Sequence, residues 1–242
     1  MQNEKHTQTL VLIKPDALKN SATGYIFSIL SEFNTGLYFA GMKVVKVTKM
    51  LAAEHYAEHK EKAFYPPLLE YIAGKSHFPG QPQKQKVIAI VYQGPNAVQK
   101  IRDLAGPTNP NNAREQKPGC IRSIGAVVPV KSAEGAVIDQ RIDNLIHASA
   151  TDCEAEREIK LWFKPNEIPA ALISFQTQIA ERFFYLKDGK LITEYASGCT
   201  SIIAKGDIVW KSDLDILNQL IVGQTTSGTL ELVVAKYLLN RE

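Results

Sequence analysis

The segment Thr9–Leu18, TLVLIKPDAL, constrains the fold of this chain more than any other stretch. Its aliphatic residues run without a break from Leu10 to Ile13, which is the pattern of a strand buried on both faces. Pro15 lacks an amide hydrogen and cannot continue a strand ladder. The strand therefore stops at Lys14 and presents its ammonium at the sheet edge. Around this strand, at residues 9–13, the sequence predicts a helix over 22–33, a strand near 37–48, a helical hairpin over 51–73, a strand over 86–92 and a helix over 95–104. A long irregular region follows, then a strand over 143–147 and a helix over 151–162. The order βαββαβ, with the extra helical hairpin, implies an α+β fold: a ferredoxin-like antiparallel sheet covered by helices.

The chemistry centres on His147, in the run Arg141–Phe163. An apolar stretch, Leu145-Ile146, delivers the imidazole. Ser149 lies two residues on, and Glu158 sits inside a helix-like run rich in Glu and Arg. A histidine at a strand end with a carboxylate in reach is a candidate nucleophile, one ring nitrogen attacking while a hydrogen bond orients the other. Separated cations point to phosphorus as the attacked atom. Lys14 ends the first strand, Arg102 sits at a helix end in IRDLAGPTNP with Thr108 in the turn after it, and Arg122 follows a tight turn in KPGCIRS. No Walker-type glycine-rich Lys-Ser/Thr loop is present, so phosphate binding is not of the P-loop kind. Singly, these residues have plainer readings. His147 reads as a structural histidine, Phe64 as core, Tyr56 as a solvent-facing helix residue, and Glu158 as a surface partner of Arg157 or Lys160.

Taken together, the motifs resemble nucleoside diphosphate kinase, over residues 8–164. The matching segments are TLVLIKPDAL, AAEHYAEHKEKAFYPPLLEYIAG, VIAIVYQGPNAV, KIRDLAGPTNP, KPGCIRS and NLIHASATDCEAEREIKLWF, in the family's order. The resemblance implies a ping-pong phosphoryl transfer through phospho-His147, from a nucleoside triphosphate such as ATP or GTP to a diphosphate such as GDP. By the same resemblance Lys14 would contact the ribose region and the transferring phosphoryl group. Tyr56 would bond near the terminal phosphate and His147. Phe64 would stack on the base, with Leu68 beside it. Arg102, Thr108 and Arg122 would hold the diphosphate, and Asn144 the sugar 3′-hydroxyl. Glu158 would orient His147, with Ser149 at its side. Mg2+ is expected through the nucleotide phosphates rather than through a protein metal site, and a homo-oligomer is expected. Stacking on one aromatic face reads no particular base edge, so broad base tolerance is expected.

The chain departs from the family pattern in several places. The family histidine is usually followed by Gly-Ser-Asp; here Ala148, Ser149 and Ala150 follow, which removes a carboxylate linked through water to magnesium. Asp152 is the sequence neighbour that could substitute. Three insertions lengthen loops: GKSHFPGQPQKQK between the helix around Tyr71 and the strand beginning near Val87, NNAREQ in the region expected to cover the nucleotide, and AVVPVKSAEGAVIDQ between Arg122 and Asn144, near the expected site. Loops of this kind are commonly functional.

The resemblance ends near Lys164, which divides the chain into a catalytic domain, 1–164, and a C-terminal extension, 165–242. The extension reads as small and α+β: an amphipathic helix over 170–184 from Ala171, Leu172, Phe175 and Ile179, a hairpin about Asp188-Gly189, a strand pair about Gly206-Asp207, a helix capped by Ser212 and stopped by Gly223, and a last helix in LELVVAKYLL. It carries no reactive cluster, so its expected role is structural or in assembly. Three cysteines at irregular spacing make neither a disulfide framework nor a zinc site, and the expected compartment is the cytoplasm. A net charge of +3 is too small to indicate nucleic acid, and no apolar run is long enough for a membrane span. Two other classes compete: a non-catalytic nucleotide-binding or scaffold protein on the same fold, and a different phosphohistidine enzyme. Phe64 and Asn144, as base and sugar contacts, argue against the second.

Overall fold

The computed structural model describes residues 5–131, 134–168 and 175–238. In chain order, β1 (His6–Ile13) leads through three short helices, α1 (Pro15–Lys19), α2 (Thr23–Ile29) and α3 (Glu32–Thr35), to β2 (Tyr38–Val45). Then come α4 (Lys49–His55), α5 (Tyr65–Ile72), β3 (Val87–Pro95) and α6 (Ala97–Ala105). Next are α7 (Pro110–Gln116), β4 (Ala126–Lys131), β5 (Val137–Asp143), β6 (Ile146–Ala148) and α8 (Asp152–Trp162).

β1 lies inside a four-stranded antiparallel sheet of order β2-β3-β1-β6. Strand side chains alternate between faces, so the unbroken apolar run of β1 feeds two cores. Leu10 and Leu12, with Ala89 and Val91, pack on one side with Leu51, Ile159, Trp162 and Phe163. Val11 and Ile13, with Ile90 and Tyr92, pack on the other with Ile26, Ile101 and Ile121. This is the ferredoxin-like antiparallel sheet between helices, as the element order implies.

Two details of the first part differ from the sequence expectation. The helix over 22–33 is broken in two at Ser31, whose hydroxyl accepts the Asn34 amide and restarts the chain as α3. The region expected to be irregular is built. NNAREQ lies within α7, capped by the Asn109 side chain on the Asn111 amide. The longest insertion pairs β4 with β5 as a separate two-stranded sheet.

The extension contributes β7 (Thr177–Ile179), β8 (Phe184–Lys187), β9 (Lys190–Ile192), β10 (Thr200–Ile203), β11 (Ile208–Trp210), α9 (Lys211–Ile221) and α10 (Leu230–Leu238). β8 and β9 form the expected hairpin, with Asp188 and Gly189 both at positive φ, as a tight two-residue turn needs. The expected helix over 170–184 is not one where it is described: Thr177–Ile179 is β7, and Ile179 is exposed. Ala171 and Leu172 lie outside the described residues. The strands about Gly206-Asp207 exist but do not pair with each other; β10 joins β8, and β11 joins β7. The Asp207 carboxylate accepts the Ala204 amide and closes the turn locally, which leaves each strand free to pair elsewhere. α9 starts at Lys211 with no side-chain cap, so Ser212 is not its cap.

The extension has its own core around Phe184, Ile203, Val209, Leu217 and Val233. It is joined to the first part through Trp210, which belongs to the core under the sheet and donates its indole N–H to the Phe163 carbonyl at 3.0 Å. Leu232 of α10 touches both cores, and α10 lies against α4 and α8.

Candidate active site

The loop before β6 does much of the positioning. Leu145 is buried and has φ of +69°, a left-handed conformation that costs a non-glycine residue about 1 kcal/mol or more. The bonds around it hold it there. Its amide donates to Asp16 Oδ2 at 2.8 Å, and its carbonyl accepts the Lys14 amide at 2.9 Å. The Lys-Pro-Asp end of β1 thus clamps the turn that launches the histidine strand. The same turn brings Asn144 Oδ1 within 2.7 Å of Lys14 Nζ, and Asn144 Nδ2 donates to the Thr108 carbonyl at 2.9 Å.

His147 is part-exposed at the centre of β6. Its Nε2 lies 2.9 Å from Glu158 Oε2. Burial alone would raise the Glu158 carboxyl pKa, but the His147 ring, His55 and the Ser149 hydroxyl outweigh it and bring it down to about 2. An ionised carboxylate only accepts, so Nε2 is the donor, and in the neutral ring the lone pair is on Nδ1. The Ser149 hydroxyl donates to the same Glu158 oxygen at 2.6 Å and accepts the Leu10 amide at 3.1 Å, which ties the carboxylate to β1.

Three cations stand in different settings. Lys14 is buried, and desolvation is the main reason its pKa falls to about 8; the Arg122 charge adds to this and Asp16 opposes it. Arg122 is also buried, and desolvation, with repulsion from Arg102, brings it down to about 10. It donates to the carbonyls of Gly106 and Ile146, the residue before His147, while its buried Nε–H has no partner among the described residues. Arg102, at the last turn of α6, is exposed, and so is Thr108.

Tyr56 follows α4, with its hydroxyl buried and making no hydrogen bond to the described residues. Burial raises its pKa, so it stays a neutral donor. Phe64 is half-exposed at the start of α5 and meets the group through His59, ring to ring at 5.5 Å. Leu68 packs on the core beside it. The structure thus brings His147, Glu158 and Ser149 into one bonded set, and Lys14, Asn144 and the Thr108 backbone into another. Phe64, Leu68, Thr108 (by its side chain) and Arg102 stand at the periphery.

Sequence reasoning missed His55. It is fully buried, and its ring stands edge-on to His147, with centroids 4.5 Å apart. Its Nδ1 accepts the Trp162 indole N–H at 3.1 Å, and burial above all pushes its pKa well down, so it is neutral. Its adjacency to Tyr56 was the available signal. His55, His147 and Glu158 are close enough to suit a metal, and two of their atoms, Glu158 Oε2 and His55 Nδ1, already bond His147 Nε2 and the Trp162 indole.

A ferredoxin-like sheet carrying a carboxylate-oriented histidine among cationic and phenolic donors is the equipment of a phosphotransferase. A family model for nucleoside diphosphate kinase matches residues 7–168. The nucleoside diphosphate kinase of Pyrococcus abyssi is 39% identical over 187 residues, covering 77% of this chain and 98% of the relative. That of Thermus thermophilus is 36% identical over 162 residues, covering 66% and 98%. The Aquifex aeolicus nucleoside diphosphate kinase structure aligns with a TM-score of 0.54 at 28% identity, over 68% of this chain and 99% of that one. A Borrelia burgdorferi nucleoside-diphosphate kinase structure, a transition-state mimic with vanadate and ADP, aligns at 0.52 and 28% identity, over 70% and 94%. The chain belongs to the nucleoside diphosphate kinase family, acts as that kinase and takes nucleotides as substrates. Nothing in the comparisons favours the non-catalytic alternative.

Proposed function

We propose that His147 Nδ1 is the atom that carries the phosphoryl group. Its lone pair attacks the terminal phosphorus of the triphosphate. The phosphorus–oxygen bond to the diphosphate breaks, and the diphosphate leaves with that electron pair. A second diphosphate then takes the phosphoryl group by the reverse step. The observation that carries this reading is the Nε2 bond to Glu158 at 2.9 Å, which puts the neutral ring's proton on Nε2 and its lone pair on Nδ1. Charge stabilisation falls to Lys14, Arg102 and Arg122. The buried donors Tyr56 Oη and Arg122 Nε, which have no hydrogen-bond partner among the described residues, match a phosphate ligand. Thr108 joins Arg102 and Arg122 on the diphosphate, Asn144 holds the sugar 3′-hydroxyl, and the exposed Phe64 ring, with Leu68 behind it, offers a face to the base.

Magnesium would ride on the nucleotide phosphates and neutralise charge during transfer. The hard oxygen donors fit it. Glu154 Oε2 accepts the Ala150 amide at 3.2 Å, which brings a carboxylate to the position where the family's aspartate is missing, whereas Asp152 is bonded to Lys5 at 2.5 Å. The division of the chain at 164/165 is supported by the separate core of the extension. A homo-oligomer is supported by the edge strand β2, where Tyr38, Met42 and Val44 are exposed next to the fully exposed Phe33. Three free thiols accord with a cytoplasmic setting, and among the described residues no helix is long and apolar enough to cross a membrane.

The test is incubation with γ-labelled ATP and magnesium, followed by GDP. Acid-labile, base-stable label should appear on the protein and move to GDP, and His147→Ala should take up none. Normal labelling of His147→Ala would refute the assignment.

A further inference from the structure

One inserted segment meets the strand that follows another beside the site. His77, from GKSHFPGQPQKQK, and Arg141, in β5 directly after AVVPVKSAEGAVIDQ, both bond the Asp143 carboxylate. His77 Nε2 lies 3.0 Å from Asp143 Oδ2. Arg141 clasps both oxygens, Nε at 2.7 Å and Nη2 at 2.9 Å. His77 and Asp143 are buried. Burial works against the Asp143 charge, but the bonds from His77 and Arg141 win and bring its pKa down to about 2. Asp143 is peptide-bonded to Asn144, whose amide holds Lys14 and the Thr108 backbone.

The contacts close a ring. The His77 ring meets Tyr71 edge-on at 5.2 Å, and Lys14 Nζ lies over the Tyr71 ring at 5.2 Å. The backbone is pinned as well: a Cβ at Gly125 would lie 2.4 Å from the Asp143 carbonyl, so only glycine fits there. The residue beside Asn144 is therefore locked from its side chain and from its backbone.

We propose that Asp143, held by His77 and Arg141, is a positioning residue that sets Asn144 against the nucleotide sugar, so that the insertion carrying His77 and the strand carrying Arg141 tune sugar recognition. The inference rests on the reading that Asn144 contacts the 3′-hydroxyl. A misplacement of about 1 Å at such a contact is worth up to about a hundredfold in rate. Loss of the clasp removes charge-assisted hydrogen bonds and leaves a buried charge unpaired.

The experiment compares single-turnover phosphorylation of the full-length protein by ATP and by 3′-deoxy-ATP, and by phosphoramidate, a donor with no sugar. Asn144→Ala should collapse the preference for ATP over the 3′-deoxy analogue; if it does not, the sugar reading of Asn144 fails and the proposal with it. Given that collapse, Asp143→Asn and His77→Gln should each reduce the preference by about tenfold, while phosphoramidate still labels them at the wild-type rate. Arg141→Lys should fall between them and wild type. An unchanged preference in Asp143→Asn and His77→Gln would overturn the proposal, as would equal loss with all three donors, which marks a merely structural role. If Asp143→Asn does not fold, His77→Gln and Arg141→Gln carry the same comparison with Asp143 intact.

Discussion

Lys14 should give activity and stability opposite pH trends in the same window. Its folded pKa is about 8 against an ordinary 10.5. At about 1.4 kcal/mol for each pH unit, that gap is worth about 3 kcal/mol. In the free enzyme the ammonium is about nine-tenths charged at about pH 7 and about one-tenth at about pH 9. If the charge helps to capture phosphate, kcat/KM for phosphorylation by ATP should fall about tenfold over that range. A bound triphosphate holds the proton on, so kcat should persist to higher pH. For stability, the unfolded chain keeps the proton between the two pKa values while the folded chain has lost it. Stability therefore rises with pH from about 8 towards 10.5. The assay is single-turnover labelling at low ATP, beside urea midpoints for wild type and Lys14→Met; Lys43 and Lys236, also depressed by burial, cancel in that difference. Lys14→Arg stays charged and should lose the inflection near 8, whatever its absolute rate. A flat wild-type profile, or the same inflection in Lys14→Arg, would refute the reasoning.

Two further outcomes concern the extension. Trp210→Ala should destabilise the protein by about 3–5 kcal/mol, because it empties a core site and leaves the Phe163 carbonyl unpaired; thermal melting reads this, and the folded fraction should still form phosphohistidine, since Trp210 bonds no site residue. Asp213→Ala should strand the buried Lys236 ammonium, 2.6 Å away, and release the Tyr237 hydroxyl, at a cost of about 3–5 kcal/mol. Hydrogen exchange should then speed up in α9 and α10 well before the main sheet, and uniform acceleration across the protein would contradict a separate core.

The elements legible in the sequence are those whose local pattern and tertiary role agree. β1 and β3 are continuous apolar runs, and both are buried on two faces. The Asp188-Gly189 turn states its conformation in its own residues. Where the reading failed, the local signal was degenerate. Phe175 and Ile179 are four residues apart, which puts them on one face of a helix and equally of a strand. The inserted segment reads as part of a long irregular region, yet its Pro129 pairs with Gln140 in a two-stranded sheet, where a strand has a free side that asks for no amide. The strands around Gly206 are visible locally, but their partners are set by distant residues. The candidate site divides in the same way. Motif residues such as His147 and Glu158 could be named, whereas the left-handed Leu145, the buried His55 and the His77–Asp143 pair depend on which loops meet in space.

Trp210 also bears on how the chain is made. Synthesis runs from the N-terminus, and domains fold largely in that order as they emerge. Every residue named in the chemistry is in place by Glu158, long before the indole that fills the slot under the sheet exists. Until then the nascent sheet carries an open apolar cleft next to Trp162 and Phe163. Each molecule therefore passes through a stage in which its catalytic parts are complete and its core is unsealed. A ribosome stalled between Lys164 and Trp210 would display a substrate for chaperones, and the last third of the gene product acts as the plug that ends that exposure.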